Sequence, residues 1–128
     1  TYPKRGDYEF VKNKVAFTFY SPEVATDELV EEVYSVVNSR IKCLRMIGFA
    51  RSAQTNNLAE SLPQIDVPTL LIWGLNDKIT PADVGHQFNR LMPNTELKFI
   101  DKCGHAAMME HSVLFNQYTE EFLESNPI

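Results

Sequence analysis

Cysteine is scarce in this chain of 128 residues: Cys43 and Cys103 stand alone and far apart. With no second pair and no close spacing they form neither a disulfide framework nor a metal-ligand set, so both are expected as reduced thiols, Cys43 packed in a helix. Histidine is also sparse, at positions 86, 105 and 111, and no H-x-x-x-H pair occurs, which argues against a metal site. Lys and Arg never gather beyond a scattered pair, and the net charge is -5, so neither a nucleic-acid backbone nor an anionic membrane surface is an expected partner. No stretch approaches the ~18 uninterrupted apolar residues of a membrane span. The first residues, Thr1-Tyr-Pro-Lys-Arg-Gly-Asp7, lack the apolar core of a signal peptide, so a cytoplasmic location is expected. They also lack a starting Met and read like the interior of a longer polypeptide.

The composition is that of an ordinary globular protein, 44% apolar and 23% charged. A chain of this length buries about two thirds of its unfolded surface. Val11, Val15 and Phe19 suit one face of a helix from about Tyr8 to Phe19, although the aromatic and β-branched run Val15 to Tyr20 also fits a strand. Ser21-Pro22 is a break. Thr26 is a plausible N-cap, followed by Asp27 and Glu28 where negative charge meets the positive end of the helix dipole. Leu29, Val30, Val33, Val36 and Val37 then repeat with helical period, while the acidic run Glu28 to Glu32 reads as the solvated side. A second helix is expected from about Arg40 to Ser52, burying Ile41, Leu44 and Ile47, with Cys43 and Met46 alongside. Gln54-Thr-Asn-Asn57 ends it as a polar turn, and Leu58 to Leu62 reads as one helical turn stopped by Pro63.

From there the pattern changes. Val67-Pro-Thr-Leu-Leu-Ile-Trp73 is an apolar run of strand formers with Pro near its start, as expected of a parallel strand covered on both faces, and Gly74 ends it. Thr80-Pro81 signals a helix start, with the Thr80 hydroxyl as N-cap, Pro81 at the first helical position and Asp83 three residues after the cap. That helix is expected to run to about Met92, burying Val84, Phe88 and Leu91. Glu96 to Ile100 reads as a second strand nearer the sheet's edge. Ser112 to Leu123 reads as a last amphipathic helix presenting Val113, Leu114 or Phe115, Tyr118 and Phe122. Strand, helix and strand make a right-handed βαβ unit. Two parallel strands leave unpaired edges and an uncovered face, so a partner is expected: an N-terminal half, a second copy, or a swap.

Asp77 follows the first strand and His105 the second. In such sheets the loops at the carboxyl ends converge on the ligand, so the two side chains are placed to meet. A carboxylate accepting from one ring nitrogen fixes the imidazole tautomer and stabilises the imidazolium, leaving the other nitrogen to take a proton. Asp83 and Asp101 are weaker rivals, one in a helix's first turn and one at a strand end. His86, in a surface helix, and His111, near a helix N-terminus where positive charge is disfavoured, are poor candidates for chemistry.

Ile65-Asp-Val-Pro-Thr-Leu-Leu-Ile-Trp-Gly-Leu-Asn-Asp77, Lys78-Ile-Thr-Pro81, Phe99-Ile-Asp-Lys-Cys-Gly-His105 and Met109-Glu-His-Ser-Val-Leu-Phe115 together resemble the carboxy-terminal half of an α/β-hydrolase. The similarity is to the branch holding the meta-cleavage-product hydrolases and esterases. It is dense over residues 63–123, whereas residues 1–62 match that family's helical cap in pattern only. The resemblance implies an α/β fold with a cap segment, 1–62, and the C-terminal part of a hydrolase core, 63–128. It implies Asp77 as triad acid and His105 as triad base, with no cofactor. The family's nucleophile sits in a Gly-x-Ser-x-Gly elbow. None of the serines at 21, 35, 39, 52, 61, 112 and 125 has Gly at both ±2, and the oxyanion-hole loop is missing too.

Phe17, Phe19, Met46 and Met108 are candidates for an apolar pocket between cap and core, and core packing explains them as readily. The implied substrate is a small apolar ester or diketone-like molecule. Two other readings stand beside this one: a non-catalytic module that self-associates through the cap helices, and an epoxide hydrolase or dehalogenase with Asp as nucleophile. In the former branch the hydroxyls of Tyr2, Tyr8, Tyr20 and Tyr34 are of interest.

Overall fold

The computed structural model describes residues 4–55 and 58–127, so Tyr2 and the expected turn at Asn56 and Asn57 lie outside the described residues. Helix α1 spans Tyr8–Phe17 and starts at Asp7, whose carboxylate accepts from the Phe10 N–H at 3.1 Å. Residues 15–17 continue this helix, so the strand alternative there is not realised. Pro22–Val24 form a single 3-10 turn, and α2 (Asp27–Asn38) follows with Thr26 as its N-cap, Oγ1 accepting from the Leu29 N–H at 3.3 Å. Val11, Val15, Phe19, Val30 and Val37 are buried together between α1 and α2. Glu28, Glu31 and Glu32 lie on the exposed side.

Helix α3 (Arg40–Thr55) runs past the expected end at Ser52. Its apolar residues are not buried: Ile41, Leu44, Met46, Ile47 and Phe49 are all exposed, Phe49 by 78%. The reason is coverage, since among the described residues the only extensive neighbour of α3 is α2. Cys43 is half-buried, accepting from Arg5 Nη1 at 3.2 Å. Leu62–Gln64 form a 3-10 turn that contains Pro63 instead of stopping before it, because proline is acceptable at a first helical position.

Strand β1 (Thr69–Gly74) begins only after Pro68, whose missing N–H cannot join the ladder; Val67 is left exposed. It pairs in parallel with β2 (Thr95–Ile100), Thr69 opposite Thr95 through to Gly74 opposite Ile100. The crossover helix α4 (Ala82–Leu91) starts with Pro81 as N-cap, not Thr80. It presses Gly85, not Leu91, closest to the sheet: a Cβ there would sit 3.0 Å from the Trp73 ring. The residues of β1 before Gly74 are half-buried, not covered on both faces.

After β2 come a short helix α5 (Ala107–Glu110), unforeseen from the pattern, and α6 (Ser112–Ser125). Leu114, Phe115 and Tyr118 of α6 pack on a second buried cluster of Ile100, Cys103 and Ala107, while Val113, expected inside, is 83% exposed. No helix among the described residues is long and apolar enough to cross a membrane.

Candidate functional site

Parallel pairing in register brings the carboxyl ends of β1 and β2 side by side, so the loops after Gly74 and Ile100 share one edge. Their contact is close: a Cβ on Gly74 would fall 2.1 Å from the Gly104 carbonyl oxygen. Leu75 and Asn76 extend the pairing, their N–H groups donating to the carbonyls of Ile100 and Cys103, both at 2.9 Å. Only glycine at position 74 lets the two loops approach this way.

Asp77 then turns inward, its side chain 4% exposed. Oδ1 accepts the N–H groups of Ile79 at 2.7 Å and Thr80 at 2.9 Å, and Oδ2 accepts the Thr80 hydroxyl at 2.8 Å. His105 Nδ1 lies 2.8 Å from the same Oδ2. Burial alone pushes this carboxyl up. The hydrogen bonds from His105, from Thr80 backbone and hydroxyl, and from Ile79 outweigh it and hold Asp77 below the ordinary aspartate value of 3.8. Asp77 is therefore a carboxylate, and an acceptor of that kind takes the Nδ1–H of His105. The indole N–H of Trp73 donates to the Thr80 carbonyl at 2.8 Å, tying the whole turn back to β1.

His105 is held differently. Its N–H donates to the Thr18 carbonyl at 2.9 Å, and its side chain is 43% exposed. A Cβ on Gly104 would meet the Thr18 oxygen at 2.6 Å and the Tyr20 nitrogen at 2.7 Å. Close backbone approach, not a positive φ, is thus what position 104 requires; the residue in the left-handed region is Lys102, at φ 51. Cys103 is fully buried beside this loop, and burial foremost, then Glu110 and Asp77, push its thiol up to about 11. It is a packing group, unsuited to act as a thiolate.

Asp77, Thr80 and His105 open onto a cleft of about 130 Å³, whose other walls include Trp73, Met108 and Phe115. That is small beside the ~300–1,000 Å³ of typical small-molecule sites. Of the candidate pocket residues, Met108 lines the cleft. Phe17 is exposed at the end of α1, with Lys78, the neighbour of Asp77, 5.5 Å over its ring. Phe19 is 4% exposed inside the α1–α2 cluster and Met46 is exposed on α3; neither lines the cleft. The Tyr34 hydroxyl donates to the Gly6 carbonyl at 3.1 Å, and the Tyr8 ring packs edge-on against Tyr34.

Asp83 and Asp101 are exposed. His86 packs on Phe99, and His111 donates from Nε2 to the Lys102 carbonyl at 3.0 Å, bracing the turn before His105. No cluster of three metal-ligating side chains occurs among the described residues. Two polar residues of the site escaped the sequence reading. Thr80 looked like a helix cap, and its Oγ1 instead serves Asp77 and lies 3.2 Å from His105 Nδ1. Glu110, an isolated acid, gives no periodic signal at all.

The family model of the alpha/beta hydrolase fold matches residues 14–112. A 2-hydroxy-6-oxononadienedioate/2-hydroxy-6-oxononatrienedioate hydrolase of Pseudomonas sp is 34% identical over 108 residues, covering 81% of this chain and 38% of that protein. Among solved structures, an α/β hydrolase enzyme from the metagenome of sediments of the lagoon of Mar Chica, Morocco, is 45% identical with a TM-score of 0.71, covering 80% of this chain and 47% of its own. A serine hydrolase involved in carbazole degradation has a TM-score of 0.80 at 23% identity, covering 92% and 47%, a likeness of fold alone. The chain spans about two fifths of the length of the curated relatives it matches.

Proposed function

Because this chain belongs to the α/β-hydrolase fold family, we propose that it supplies the acid and base of a serine hydrolase's triad, with Asp77 and His105 in those roles. The supporting observation is the 2.8 Å contact between His105 Nδ1 and the buried Asp77 Oδ2. With Nδ1–H donated to a carboxylate, Nε2 is the basic nitrogen, aimed to take the proton of a nucleophilic hydroxyl. It returns that proton to the leaving group as the intermediate breaks down. Asp77 stays ionised throughout and stabilises the imidazolium. The nucleophile and oxyanion donors come from outside these residues, since no serine here has the elbow's flanking glycines.

In this reading residues 1–62 are the cap and 63–128 the end of the core. The substrate is a small, partly apolar ester or a diketone-like ring-cleavage product, hydrolysed at a carbon–oxygen or carbon–carbon bond without a cofactor. Its apolar part lies against Met108 and Phe115, with Phe17 at the margin. The test joins this chain to a segment bearing Gly-x-Ser-x-Gly and assays aryl esters and ring-cleavage products. His105→Ala is expected to lower turnover on the order of 10⁴-fold or more; equal turnover by parent and variant overturns the assignment.

A second reading, a self-associating module without catalysis, is favoured by one observation, the uncovered apolar face of α3. A stable homodimer of the 128-residue chain by mass measurement, with no hydrolysis once the nucleophile segment is supplied, would favour it.

A further inference from the structure

Glu110 takes no part in the proton relay just described, yet its carboxylate gathers three backbone N–H groups from two distant parts of the chain. Oε1 accepts from the Gly104 N–H at 2.6 Å. Oε2 accepts from the Tyr20 N–H at 2.7 Å and the Ser21 N–H at 3.2 Å. The next N–H after Gly104, that of His105, donates to the Thr18 carbonyl at 2.9 Å, so the belt closes on itself: loop to Glu110, Glu110 to residues 20 and 21, and residue 18 back to the loop. Phe19, between those anchors, is buried among the α1 and α2 side chains. Gly104 is the point of contact, where no Cβ fits.

We infer that Glu110 is a positioning residue, which fastens the His105 loop to the segment joining α1 and α2 and thereby makes the imidazole's alignment with Asp77 depend on where those helices sit. This inference rests on the reading of Asp77 and His105 as the proton-handling pair. The chemistry requires a carboxylate. Both oxygens accept, and each faces only donors, so an amide in the same place satisfies one side and turns its own N–H groups against the other. Movement of the two helices then carries the base with it, and the aligned state of His105 coincides with their docked state.

The test uses the 128-residue chain and two readouts independent of turnover: amide hydrogen exchange, and the ¹⁵N shifts of the His105 ring, which report its tautomer. In the wild type the amides of Tyr20, Ser21 and Gly104 are expected to exchange with one common dependence on denaturant, since a single carboxylate joins them. E110Q is expected to speed exchange at Tyr20 or Gly104 at least tenfold and to turn a single Nδ1–H tautomer into a mixture, with E110D restoring neither. Separate opening of the three wild-type amides, or an E110Q ring with unchanged tautomer, overturns the proposal; the first readout holds even if the variant does not fold. Activity of H105A in the assembled hydrolase bears only on the triad reading, so the two failures are distinguishable.

Discussion

Along α3, Ile41, Leu44 and Phe49 stand open to solvent, whereas the loops that carry Asp77 and His105 are held by hydrogen bonds from other parts of the chain. The loops there touch backbone to backbone, Asp77 accepts four donors, and buried side-chain polar atoms without a partner are absent among the described residues. Both regions carry a strong sequence pattern, one of helical apolar spacing and one of strand-end acid and histidine. The difference is where the complement lies. The site's complement is polar, local and inside the chain; the described residues supply none for the α3 face.

The comparison breaks most visibly at Gly74. Gly74→Ala places a methyl 2.1 Å from a carbonyl oxygen, a clash of backbone with backbone. Denaturant titration is expected to show a loss of about 4 kcal/mol or more, in the exceptional range for a point change. A loss below about 1 kcal/mol would mean that the two loops are not in contact.

Asp77→Asn comes next. It removes a charge that accepts four hydrogen bonds, worth about 2 kcal/mol net for such charged pairs. The pH dependence follows from the depressed value. Ionisation of Asp77 stabilises the fold fully above its ordinary 3.8 and loses that effect as pH falls through the lower folded value. Acid unfolding of Asp77→Asn should therefore lack part of the wild type's decline below that pH, and identical acid limbs would contradict the account. Thr80→Val is a smaller step, removing one hydroxyl donor from Asp77 Oδ2 at an expected cost of about 1 kcal/mol in thermal unfolding. At the other end of the scale, Phe49→Ser on α3 is expected to change stability by less than about 0.5 kcal/mol, because the ring buries almost nothing. A large loss there would show that α3 is covered in solution.

These contrasts also mark what was readable in advance. Helix α2 was legible because its cap and apolar face are local properties: Thr26 does accept from Leu29, and Val30 and Val37 are buried. The βαβ unit was legible for the same reason, and with it the convergence of Asp77 and His105 on one edge. Helix α3 shows the limit, since periodicity tells which face is apolar and not what lies on it. Thr80 was misjudged because a hydroxyl before proline serves a helix cap and an aspartate turn equally well, and the nearby carboxylate won. Glu110, Gly74 and Gly104 were out of reach because their roles arise only where segments distant in sequence meet.

The central claim is that the acid and base are assembled within this chain. The ¹⁵N spectrum of the His105 ring at neutral pH, recorded for the wild type and for Asp77→Asn, addresses it most directly. The account predicts a single Nδ1–H tautomer in the wild type that becomes mixed in the variant. The same tautomer distribution in both would contradict it.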